Sequence, residues 1–451
     1  MDSLFSGTKR KMTEKIYTLI ENFVFRYFVE SLDFNGLPLR TVSTEFKIDY
    51  EHSINIIKEL VSQDRISIQS STNPHIIHSR HYDTDIQLKI LDQAKTFTVS
   101  EIKIDEVSFL EESTEFPICL YPSPTLLKQK RDVKNLPIYT QLLALGEPQL
   151  KSLFFEIEVL ERYLNDPRYF FKFEGYCGKI SIRSDDDGNP LVREEDRAFV
   201  ETFGLGYDKE GNRLAVAYLR YLNDLSPEHQ AYWKSKEVTE EDCAMVEEYY
   251  QNTIEGTWVS TVPIFEAFLG ELACINDLTS KIFGKGLFKK DFKINECPVE
   301  FTYFFIPTSK KYYDFISLLD KMISDNINSD FFKGVIEPYD FIEIEPGIKE
   351  RRTKGTLKLL EEWLSLHIHF KDQDGLIKLL RPFKNVRKER QTPAHKITIN
   401  TYDKTYFAKQ KQVMTEVWNS MASLRKILQS HPKGKSVEIP SWLNECKVGI
   451  Y

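Results

Sequence analysis

Phe407, Met414, Val417, Met421, Leu424 and Leu428 follow one another at steps of seven, three, four, three and four. Side chains at those intervals line one face of an α-helix and cannot line one face of a strand. A helix striped in this way has to be covered, so the neighbouring chain must supply further apolar helix faces. Upstream, YYDFISLLDKMISDNI, GTLKLLEEWLSLHIHF and DGLIKLLRPFKNVRKE also place apolar residues three or four apart. The spacing predicts a four-helix bundle with short connections from about residue 311 to 451.

The whole chain has 451 residues, enough for two to four domains of roughly 100–200 residues each. Composition shifts divide it into three parts, and the fold class expected is multidomain α+β. The first part is 1–90, the second is a mixed α+β region over 91–310, and the third is the helical part, 311–451. No uninterrupted apolar run approaches the ~20 residues needed to cross a bilayer. MDSLFSGTKRKMTEKIY also lacks the apolar centre of a secretory signal, so a cytoplasmic protein without membrane contact is expected. The cysteines Cys119, Cys177, Cys243, Cys274, Cys297 and Cys446 are scattered, with no Cys-x-x-Cys pair, and read as reduced core thiols. A net charge of −8 argues against coating nucleic acid over the whole surface, because such binding depends on clustered Lys and Arg.

In the first part, IYTLIENFVFRYFVESL (16–32) has helical spacing, and Gly36 and Pro38 break it. PLRTVSTEFKI and YEHSINIIKELVSQD read as two short amphipathic helices with Asp49 as N-cap of the second. RISIQSSTNPHIIHSR alternates around a Ser-Thr-Asn-Pro turn and predicts a hairpin. Over residues 16 to 82 this order resembles a winged helix-turn-helix. In such a module the second helix of the motif reads the DNA major groove. Here that helix offers Glu51, His52, Ser53, Asn55, Lys58 and Glu59. Its near neutrality leaves open two readings, DNA contact and contact with a protein partner.

The middle part carries two turn clusters, DDDGNP and DKEGN, placed as hairpin tips. VTEEDCAMVEEYYQNTI reads as a helix with Thr239 as N-cap, VPIFEAFLGELACINDLTSKIF as a second helix with Pro263 near its start, and ECPVEFTYFFIPTS as a strand.

Chemistry is suggested most strongly near RKERQTPAHKI. Between Ile377 and Lys396 stand Lys378, Arg381, Lys384, Arg387, Lys388, Arg390 and Lys396, seven basic residues against the single acid Glu389. Arg390 and His395 bracket RQTPAH. Within a helical bundle, an Arg followed four to six residues later by His resembles the signature of HEPN ribonucleases, over the helical C-terminal third of the chain. The resemblance implies RNA cleavage without metal or cofactor, through attack of the 2′-hydroxyl on the adjacent phosphate. His395 would move the proton and Arg390 would clamp the phosphate. Arg387, Lys388, Lys384, Lys396 and Gln391 would contact RNA. The family commonly pairs two such sites, which implies a homodimer through the C-terminal bundle, and its members often serve as toxins or in antiviral defence.

The residue types suit those roles. An imidazole titrates near neutrality and a guanidinium presents a charged fork to phosphate oxygens. On a straight helix, positions five apart diverge by roughly 140°. Pro393 would have to kink the helix, or start one with Thr392 as N-cap, for the pair to converge. The plain alternatives are an inactive RNA-binding relative, or a basic helix whose Arg and His pair at the surface.

Other clusters carry less. His75, His78 and His81 have a spacing that sends strand side chains to opposite faces. His367 and His369 do not share a helix face, although either one facing Arg390 is conceivable. Asp185 begins an Asp-rich stretch whose twelfth position is Asp196 rather than the Glu of an EF-hand, so a turn is expected. Glu361 and Glu362 are candidates to orient the histidine, or are simply solvated. No Gly-rich phosphate loop, nucleophile elbow or HExxH stretch is present, which removes several large enzyme classes. The rival to the nuclease is a non-enzymatic winged-helix regulator or scaffold.

Overall fold

The computed structural model describes residues 2–31, 33–77, 80–94, 99–104, 107–112, 117–239, 242–259, 261–292, 296–345, 348–370, 374–394, 399–445 and 447–451. The chain is mixed α+β and forms two compact units. One comprises 1–155, 181–203 and 216–241, the other 156–180, 204–215 and 242–451. Among the described residues no helix is long and apolar enough to cross a membrane.

In the first unit, α1 (Asp2–Glu30), α2 (Leu39–Phe46) and α3 (Tyr50–Ser62) pack on three strands, β1 (Leu37–Pro38), β2 (Ile66–Ser70) and β5 (Ile118–Pro122). The sheet is antiparallel with β5 in the centre. Ile20, Val24, Leu39, Val42, Ile54, Ile57, Ile68 and Leu120 share its core. Lys47 adopts a left-handed φ of 53° where α2 ends, and Asp49 caps α3 by accepting from the Glu51 and His52 amides at 3.0 and 3.3 Å. The cap expected from sequence is therefore present.

The expected hairpin over RISIQSSTNPHIIHSR is absent among its described residues. β2 ends at Ser70, Ser71 to Ile76 form bends and turns, and the partner of β2 is β5, with Ile68 opposite Leu120. Between them lie α4 (Thr84–Ala94) and an antiparallel pair, β3 (Val99–Ile104) with β4 (Val107–Glu112). Alternation in β2 reports a strand with polar and apolar sides; it does not say which later segment completes the ladder.

The middle of the chain adds β6 (Ser152–Glu156), β7 (Tyr169–Phe173), β8 (Cys177–Ile182), β9 (Val200–Tyr207), β10 (Arg213–Tyr218), β11 (Glu237–Val238) and β12 (Ala244–Met245). They form one sheet in the order β11-β6-β10-β9-β8-β7, with β12 on β9. DKEGN turns β9 into β10, with Gly211 at φ 79°. DDDGNP is a tight turn closed by the bridge between Ser184 and Pro190. There Asp185 accepts from the Asp187 and Asn189 amides at 3.0 and 2.8 Å, which makes it a turn residue.

Two expectations for this region are corrected. In VTEEDCAMVEEYYQNTI, Ala244 and Met245 pair with Tyr207 and Gly206 of β9, and the helix begins only at Glu247. Sheet pairing overrides the helical pattern there. ECPVEFTYFFIPTS forms no strand among its described residues. Phe301, Tyr303, Phe304 and Phe305 are buried on irregular backbone. Two of its backbone groups are satisfied by buried Gln410, whose side chain accepts from the Phe304 amide at 3.3 Å and donates to the Thr302 carbonyl at 3.0 Å. Aromatic composition here reflects packing and not a ladder.

The second unit is dominated by α5 (Ile264–Phe283), α6 (Ser309–Ile323), α7 (Thr356–His367), α8 (Gly375–Ala394) and α9 (Thr405–Gln429). Met414, Val417, Met421, Leu424 and Leu428 of α9 are buried, as the stripe requires. α9 packs on α5 and α8, and α8 also packs on α6 and α7. An unanticipated antiparallel hairpin, Tyr339–Glu345 with Ile348–Thr353, interrupts the helices.

Candidate functional site

Arg387 and Arg390 stand three residues apart on α8 and therefore share a face. That face meets the C-terminal end of α6. Asp320, in the last turn of α6, is fully buried, and its Oδ2 accepts from Arg387 Nη1 at 2.9 Å and from Arg390 Nη1 at 2.5 Å. Asp325 lies just beyond the helix and accepts from Arg387 at 2.7 Å through Oδ1 and from Arg390 at 2.6 Å through Oδ2. Two guanidinium groups thus face two carboxylates at a helix terminus whose carbonyls already favour cations.

The titration behaviour follows this geometry. Burial works to raise the Asp325 pKa, but hydrogen bonds from Arg387 and Arg390 outweigh it and hold the carboxyl below its ordinary value. The Asp325 hydrogen bond raises Arg387, and the Asp320 and Asp325 hydrogen bonds raise Arg390. Asp320 Oδ1 is buried without a partner among the described residues. The quartet is locally neutral. A phosphate entering it would have to displace carboxylates already in charge-assisted bonds.

Other basic residues of the stretch are also engaged or lie at the surface. Lys384 pairs with Glu361 at 2.7 Å, and Glu362 pairs with Lys354 at 2.7 Å. Both candidate acids for orienting a histidine are therefore in ion pairs. Lys388 and Gln391 are exposed. Glu389 accepts from the Tyr312 hydroxyl at 2.5 Å. His395 and Lys396 lie outside the described residues. α8 runs through Thr392 and Pro393 to Ala394, so Thr392 does not open a new helix. Arg390 consequently sits in the C-terminal part of its helix, the electrostatically unfavourable end for an anion.

Among the described residues, neither of the remaining histidine groups forms a site. His75 Nδ1 lies 3.3 Å from the Gly36 carbonyl and His81 Nε2 lies 2.7 Å from that of Gly146, while His78 is outside the described residues. His367 stacks on Trp363 with centroids 4.6 Å apart, and its Nδ1 lies 2.9 Å from the Trp363 carbonyl.

The solvent face of α3, the helix expected to read DNA, carries little positive charge. The outward residues of α3 are Glu51, His52, Asn55, Glu59 and Ser62. Lys58, its one lysine, donates to Asp92 of α4 at 2.6 Å. The face presented to solvent is acidic and polar.

Sequence reading missed two concave regions. A cleft of ≈ 710 Å³ is lined by Asn165, Glu300, Tyr303, Phe304, Lys310 and Lys311 among others. A shallower groove of ≈ 480 Å³ runs along α8 and α9 past Phe370, Lys378, Arg381, Glu416 and Ser423. Both gather residues distant in sequence, so no local motif announces them. No family model matches the chain, and neither a curated protein nor a solved structure does.

Proposed function

We propose that this chain is a non-enzymatic binding protein in which a winged-helix-type module contacts a protein partner and the helical bundle mediates assembly. The observation that carries the reading is the Arg387–Arg390–Asp320–Asp325 quartet, which neutralises the guanidinium groups a nuclease would aim at phosphate. The winged-helix part rests on the order of α1, α2 and α3 followed by an antiparallel sheet, with α4 and the β3–β4 pair inserted where a short wing would stand. A DNA-reading helix is surrounded by phosphates, and a face bearing Glu51 and Glu59 repels them. The same polar face suits a protein surface carrying basic or hydrogen-bonding groups.

The test is RNA cleavage by the purified full chain in EDTA, beside Arg390→Ala and His395→Ala. Equal and negligible cleavage by all three is expected. Metal-independent cleavage that either substitution abolishes, with folding intact, overturns the proposal. Retention on duplex DNA, lost when α3 is altered, would overturn the protein-contact part.

One observation favours a second reading, the metal-independent endoribonuclease. The Arg390 side chain is 31% exposed and uses only Nη1 in the quartet. Among the described residues its other edge has no partner, which leaves that edge for a phosphate. In that reading Arg390 clamps the phosphate, His395 exchanges the proton, and two copies of the chain close the site.

A further inference from the structure

Arg213 opens β10, two residues after Gly211 at the tip of the β9–β10 turn. Its guanidinium is half-buried against two rings, with Cζ 4.8 Å from the Tyr303 centroid and 4.2 Å from that of Phe407. Phe407 in turn stacks on Phe304 at 5.7 Å and 21°. Ring contacts of this kind are made through the flat face of a guanidinium, and the attraction is modest. They leave unanswered its N–H donors, which radiate in the plane.

Arg213 has no carboxylate partner among the described residues. Instead a second cation stands nearby on α9. Lys411 follows Phe407 by four residues on α9, so the ring and the ammonium share one helix face. Lys411 is exposed, has no carboxylate partner among the described residues, and interacts electrostatically with Arg213. Burial drives the Arg213 pKa down to about 10, against the Tyr303 and Tyr207 hydroxyls, and partial desolvation and then Arg213 lower that of Lys411.

Two nearby acids are engaged elsewhere. Asp208 accepts from the Glu210 and Asn212 amides at 3.0 and 2.8 Å and from Asn212 Nδ2 at 2.7 Å. Glu248 accepts from the Tyr451 hydroxyl at 3.2 Å. Lys404, one turn before Phe407, donates to Asn212 Oδ1 at 3.3 Å and fixes the turn against α9.

We propose that Arg213 and Lys411 form a binding site for a phosphomonoester or free phosphate dianion. The Tyr303–Arg213–Phe407 stack holds the donor fork in place before the ligand arrives, which lowers the ordering cost of binding. A dianion answers both cations at once, whereas a carboxylate answers one. This site lies apart from the quartet on α8 and goes beyond the function proposed above.

The experiment is isothermal titration calorimetry of the full chain with inorganic phosphate, adenosine 5′-monophosphate, sulfate and acetate. Phosphate and sulfate should bind and acetate should not. Lys411→Ala, an exposed change, and Arg213→Lys, which keeps charge and loses the fork, should each weaken binding by about tenfold or more. Lys409→Ala, whose ammonium lies 4.7 Å from the Tyr406 ring, should leave it unchanged. Tighter binding of the nucleotide than of phosphate assigns the site to an esterified group, and the reverse assigns it to the free ion. No binding of either, acetate binding equal to phosphate, or wild-type affinity in Lys411→Ala overturns the proposal.

Discussion

Replacing Arg390 by alanine asks whether its guanidinium holds the fold together or waits for a ligand. In the structure, Arg390 Nη1 donates to fully buried Asp320 at 2.5 Å and to Asp325, itself 40% exposed, at 2.6 Å. Hydrogen bonds to charged groups contribute about 1.5–3 kcal/mol each when shielded. The Asp325 contact is largely screened by solvent and adds little. The loss should therefore be close to 2 kcal/mol, because Arg387 still reaches Asp320. Removing both arginines strands a buried carboxylate and should cost about 3–5 kcal/mol.

Amide hydrogen exchange in peptides from α6 and α8 reads this locally. About 2 kcal/mol corresponds to exchange faster by roughly thirtyfold in both helices. Asp320→Asn removes the charge that needs Arg390, so Arg390→Ala should cost about 1 kcal/mol less in that background, the mark of a direct pair. Exchange unchanged within about twofold, or additive effects of the two substitutions, would show that Asp320 does not hold Arg390. The phosphate-clamp role would then regain its standing.

Asp325 sets a pH dependence: its folded pKa is depressed, so its contribution is complete above the unfolded value of about 3.9. That contribution is lost as pH falls through the lower folded value, and acid exchange in α8 should rise only there. At the α5–α9 contact, Arg425 Nε donates to Glu271 at 2.5 Å with both side chains fully buried. Arg425→Ala should destabilise by about 3–5 kcal/mol in thermal or urea unfolding, whereas joint replacement of both residues by Met and Leu should come close to wild type. A Cβ on Gly204 would lie 2.1 Å from Cδ1 of Tyr249, which is fully buried. Gly204→Ala should lower stability by about 1–3 kcal/mol, read as an earlier thermal transition.

Periodicity made the helices legible because burial on one face writes itself into every third or fourth residue. The α9 stripe is buried along Met414 to Leu428, and the segments read as helices correspond to α5, α6, α7 and α8. Asp49 and the DKEGN tip were equally readable, since a cap or a turn is a local transaction between a side chain and the amides beside it. Pairing was not. Nothing in ISIQS specifies a partner at 118–122, and nothing in ECPVEFTYFFIPTS reveals that Gln410 satisfies its backbone. The hairpin at 339–353 did leave a signal, Pro346-Gly347 between two extended runs, which helical periodicity on either side obscured.

The same distinction explains the basic stretch on α8. Counted along the sequence, seven cations face one acid, and the density reads as a phosphate surface. In the fold, Asp320, Asp325 and Glu361 arrive from α6, the turn after it and α7, and close ion pairs with Arg387, Arg390 and Lys384. Linear charge density predicts a binding surface only where no other element brings the counter-charge. Arg213 shows the converse: Asp208, Lys209 and Glu210 beside it make its neighbourhood look balanced, yet Asp208 is engaged in its own turn and Lys411 is added from α9. Local excess and actual excess thus fall on different arginines, and the one with no carboxylate partner among the described residues has the stronger physical reason to bind an anion.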